Sequence, residues 1–72
     1  MKIEEFAQVL KEEYLKAATN EKVVTIHLFG IRNADQLDGM PLHDIAERAG
    51  ISRTYGTELR KGINLARYVM IK

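Results

Sequence analysis

From Ile3 to Ala17, apolar side chains return every third or fourth position: Ile3, Phe6, Leu10, Tyr14 and Ala17. That spacing predicts an amphipathic helix over 2–18. Glu4, Glu5, Lys11, Glu12, Glu13 and Lys16 fill its other face. Early Glu and late Lys also suit the helix dipole. The triplet "ATN" interrupts the pattern, and Thr19 or Asn20 is placed to cap the next helix.

The stretch 20–37, "NEKVVTIHLFGIRNADQL", supports two patterns. Its first half is rich in β-branched residues, as a strand would be. As a helix, Val23, His27, Gly30, Ala34 and Leu37 share one arc, which Val24, Leu28 and Ile31 widen. The helix accounts for the whole stretch and the strand only for "KVVTIHLF", so a central helix over 20–37 is expected. Phe29 falls toward its polar side and is expected to pack against the first helix, with an exposed interface role as the alternative. "DGM" and Pro41 form the clearest break in the chain. Beyond it, Leu42, Ile45, Ala46 and Ala49 predict a short helix over 42–49, stopped by Gly50. Ser52 is a good N-cap for a last helix over 52–69, with Tyr55, Leu59, Ile63, Ala66 and Met70 on one side. The expected fold is an all-α, four-helix domain spanning 1–72, with helices two to four as its core and the first helix across them.

Composition narrows the class. Seventy-two residues, 46% hydrophobic and 29% charged, suit one globular domain. No cysteine is present, so neither a disulfide nor a thiolate metal site is available. His27 and His43 lie in different segments with no ligand spacing. His27 is expected to pack on an apolar arc, and His43 to be exposed near a helix start. No apolar run approaches the roughly 20 residues of a membrane span, and the start has no signal-peptide shape. A cytoplasmic protein is expected. Net charge is only +1, but its distribution is uneven. Residues 1–40 carry five Lys/Arg against seven Asp/Glu, a balance of −2, and residues 41–72 carry six against three, a balance of +3. A polyanion would dock on the C-terminal part.

The stretch "LHDIAERAGISRTYGTEL", Leu42 to Leu59, resembles a helix-turn-helix DNA-binding motif of the small bacterial or phage-type regulator class. Ala46 is small where two helices cross, and Gly50 allows the positive φ of a tight turn. Ile51 plugs the angle, Ser52 caps, and Leu59 faces the core. The resemblance implies that the second helix of the pair enters the major groove. Gly56 departs from it, standing where the motif has a branched apolar residue. Either Tyr55 fills that space, or Gly56 permits close approach of another helix or of DNA. Gly62 raises the same question.

Arg53, Thr57, Arg60, Asn64 and Arg67 follow one line of the last helix to within about 40°, with Lys61 beside them. Arginines, a hydroxyl and an amide suit phosphate and base-edge contacts. Arg53 to Arg67 would span about 21 Å at 1.5 Å per residue, against a groove about 12 Å wide. Ser52, Arg53, Thr54 and Thr57 are therefore expected to read bases. Arg60, Lys61 and Arg67 are expected to meet phosphate, a partner chain or solvent, and Asn64 is a further candidate DNA contact. The expected ligand is double-stranded DNA, bound by a homodimer, because one small module binds weakly. A non-catalytic protein-interaction module on the same fold is the alternative. Asp44 and Glu47 share a helix face but form no catalytic constellation. No enzyme activity, cofactor or metal is expected.

Overall fold

The computed structural model describes residues 3–71, and among these it is all-α, with no strand. Helix α1 runs Ile3–Lys16, α2 Lys22–Arg32, α3 Ala34–Leu37, α4 Leu42–Arg48 and α5 Gly56–Leu65. Two 3₁₀ turns, Thr19–Glu21 and Arg53–Tyr55, lead into α2 and α5. Helix α1 follows its predicted pattern: Phe6 and Leu10 are buried, with Ile3 and Tyr14 packed beside them. Neither Thr19 nor Asn20 caps α2, because both lie inside the 3₁₀ turn. Lys22 instead closes the end of α1. Its ammonium donates to the terminal carbonyls of Tyr14 (2.8 Å) and Ala17 (3.2 Å) and lies over the Tyr14 ring.

The continuous helix expected over 20–37 is broken at Asn33. Both the backbone N–H and the side-chain amide of Asn33 donate to Phe29 O, at 3.1 and 3.0 Å. Asn33 O then accepts from Gln36 and Leu37, starting α3. A short polar side chain that competes for backbone partners ends one helix and starts the next.

The buried face of α2 is also rotated from the expected arc. Ile26, Phe29 and Gly30 are buried, while Val23, Val24 and Leu28 remain exposed. Phe29, expected on the polar side, has no solvent exposure and meets Phe6 edge-on at 6.4 Å. Its contact with α1 is as expected. A helix apolar on most sides has no unique inward face, so its neighbours choose one. The choice is made where α2 crosses α5. A Cβ on Gly30 would lie 2.8 Å from Leu59 O and 3.1 Å from Gly62 Cα. Only glycine on both helices permits this approach.

Helix α4 matches its pattern, with Leu42, Ile45, Ala46 and Ala49 buried. It ends at Gly50, whose φ is +82°. The Gly50 N–H donates to Glu47 O and the Ile51 N–H to Ala46 O, the paired bonds of a Schellman cap. The last helix is shorter than 52–69. It opens with the 3₁₀ turn, runs as α5 to Leu65 and closes in a turn over 66–68. Leu59 and Ile63 are buried as expected, but Met70 is 89% exposed because the helix has ended before it.

Candidate nucleic-acid interface

Helix α4, the turn 49–52 and the Arg53–Leu65 segment form the helix-turn-helix. Ala46 is fully buried, and Ile51 packs against the core. Ser52 Oγ accepts from Thr54 N at 3.3 Å and contacts Thr54 Oγ1 at 2.8 Å. The predicted N-cap is present, and it caps the 3₁₀ turn ahead of α5.

Gly56 is explained by α4. A Cβ there would lie 2.5 Å from His43 Nδ1 and 2.9 Å from His43 Cα. His43 sits over the start of α5, and its Nδ1 donates to Arg53 O at 2.6 Å. A carbonyl can only accept, so Nδ1 carries the proton. Close approach of another helix, one of the three readings open at this position, is what the missing side chain allows. Gly62 serves the same purpose at the α2–α5 crossing.

The structure places Ser52, Arg53, Thr54, Thr57, Lys61, Asn64 and Arg67 on the exposed side of this unit, with Arg60 half-buried. They do not form the single helical line that the spacing suggests. Arg53 lies in the 3₁₀ turn, Thr57 to Asn64 lie on α5, and Arg67 lies in the turn beyond it.

Charge is distributed differently from the sequence expectation. Arg53 Nη1 is 3.5 Å from Glu47 Oε1 and 3.7 Å from Asp44 Oδ1. Arg60 Nη1 is 3.2 Å from Asp38 Oδ1, and Lys61 Nζ is 3.4 Å from Glu58 Oε2. Glu58 also accepts from His27 Nε2 at 2.6 Å, so His27 is a half-buried, hydrogen-bonded residue rather than a purely apolar one. The His27 hydrogen bond, aided by Lys61, holds the Glu58 carboxyl below its usual pKa. Among the described residues, Arg67 has no carboxylate partner. Four cations, Arg53, Arg60, Lys61 and Arg67, thus stand with four carboxylates, Asp38, Asp44, Glu47 and Glu58, a balance of 4 − 4 = 0 with His27 neutral. Of these acids, Glu58 was legible as an i,i+3 partner of Lys61. Asp38 is remote from Arg60 along the chain and gave no signal.

Among the described residues, no group of three or more His, Cys, Asp or Glu is placed to hold a metal, and no helix is long and apolar enough to cross a membrane. No curated protein and no solved structure matches the chain. A family model described as an HTH-like domain matches residues 2–72. With the Schellman-capped turn, the buried Ala46 and the Ser52 cap in place, the chain belongs to the family of HTH-like domains.

Proposed function

We propose that this domain binds double-stranded DNA and regulates transcription in the cytoplasm as a homodimer. In this reading, the Ser52–Thr57 segment enters the major groove and presents Ser52, Arg53, Thr54 and Thr57 to base edges. Arg60, Lys61, Asn64 and Arg67 bind the flanking backbone. The observation that carries the reading is the open outer side of the helix-turn-helix. Its hydroxyls and guanidinium groups are exposed at the start of the second helix, the part of such units that meets bases. A second copy on a two-fold site would supply the affinity that one small module lacks.

Fluorescence anisotropy with a labelled mixed-sequence duplex tests the reading. Affinity is expected to fall with rising salt, by a slope of about 0.9 per phosphate neutralised. Arg53→Ala with Arg60→Ala is expected to weaken binding and flatten that slope. Amide NMR signals of Ser52 to Arg67 that stay unmoved by duplex at low salt would rule the reading out.

A non-catalytic protein-interaction module is the second reading. Two observations favour it: the zero charge balance of the outer side, and the exposed Val24 and Leu28 on α2.

A further inference from the structure

We infer that Asp38, Asp44 and Glu47 clamp the DNA-facing arginines, so that duplex DNA engages Arg53 and Arg60 only by displacing these carboxylates. The inference rests on the DNA-binding reading above. The carboxylates come from elements outside the stripe. Asp38 lies in the connection between α3 and α4, and Asp44 and Glu47 lie on α4. Folding brings Asp38 to 3.2 Å from Arg60, and Glu47 and Asp44 to 3.5 and 3.7 Å from Arg53. At Arg53 the local balance is 1 − 2 = −1, and at Arg60 it is 1 − 1 = 0.

An approaching phosphate therefore meets a like charge that already lies 3.2–3.7 Å from the guanidinium it would bind. Separations of about 3–4 Å lie well inside the Debye length of about 10 Å at 0.1 M salt, so ions do not hide one from the other. The clamps are exposed, with Asp38 at 71% and Glu47 at 63% of full side-chain exposure. Exposed pairs of this kind shift an equilibrium by about fivefold at most. Phosphate can displace them, so they tune binding rather than block it. Arg67, without a carboxylate partner among the described residues, is free for the first contact. The clamps lower affinity for every duplex alike. A uniform loss leaves the ratio between sequences unchanged, so the clamps set overall affinity rather than selectivity.

The test is a double-mutant cycle on the full chain, read by anisotropy against one labelled mixed-sequence duplex over a series of salt concentrations. Asp38→Asn is expected to tighten binding about threefold to fivefold and to steepen the salt slope by about 0.9, one further phosphate contact. With Arg60→Ala already present, Asp38→Asn is expected to change neither quantity. Asp44→Asn with Glu47→Gln should likewise tighten binding only while Arg53 is present, but without the added salt slope, because Arg53 is assigned to base edges rather than to phosphate. Circular dichroism melts confirm that each variant is folded. Wild-type binding that Asp38→Asn leaves unchanged, or tightens equally without Arg60, would overturn the clamp and leave the DNA reading standing. Failure of every folded form to bind duplex at low salt would overturn the DNA reading, and the clamp with it.

Discussion

His43 and Gly56 are one feature seen from two helices. The imidazole hydrogen-bonds Arg53 O and occupies the space that a side chain at 56 would need. A glycine inside a helix costs about 1 kcal/mol relative to alanine, and here that cost permits the α4–α5 contact. Gly56→Ala is therefore expected to destabilise despite its better helix propensity. The loss should be about 1–3 kcal/mol, typical of overpacking, read from the urea midpoint. His43→Ala in the same chain should restore part of it, because the imidazole is one of the two obstacles and the His43 backbone is the other. A Gly56→Ala protein as stable as wild type would show that the helices separate freely there. In the sequence, Gly56 was visible as a departure from the motif. Its reason was not, because His43 lies on the preceding helix and no helical spacing connects the two.

At the scale of elements, the crossing of α2 and α5 organises the molecule. Gly30 and Gly62 bring the two backbones together, with Gly62 facing His27 O. No rotamer change relieves a clash with backbone, so Gly62→Ala is expected to cost more than Gly56→Ala. A loss of about 3 kcal/mol, the upper range for overpacking, is large for a chain that buries only about 60% of its unfolded surface. Thermal unfolding of the two variants side by side checks the order, and a milder Gly62→Ala would contradict the crossing as described. Helices α1 and α4 were legible because each has a single apolar stripe facing inward. Helix α2 was not, because its apolar residues surround most of the axis and its exposed valines look as core-like as its buried Ile26. The break at Asn33 was also hidden, since it depends on one amide returning to Phe29 O.

Across the whole molecule, the tie between α2 and α5 is electrostatic as well as steric, through His27 and Glu58. Glu58 has a lowered pKa in the folded state, first because of the His27 hydrogen bond and then because of Lys61. A carboxyl with a lowered folded pKa contributes stability that is present above its unfolded pKa and is lost as pH falls through the folded value. The melting temperature of wild type is thus expected to exceed that of Glu58→Gln at neutral pH, and the gap should close as pH drops below the carboxylate range. A gap independent of pH would assign the effect of the substitution to packing instead. Residue pattern alone is enough for the helical class, the α1 and α4 faces, the Gly50 turn and the Ser52 cap. Each of these depends on residues within one or two turns of each other. Packing in three dimensions sets which side of α2 is buried, where the last helix ends and what charge the outer face carries. The +3 balance of residues 41–72 belonged to a stretch of chain. Charges act through space, and folding sets Asp38 from the acidic part against Arg60 from the basic part.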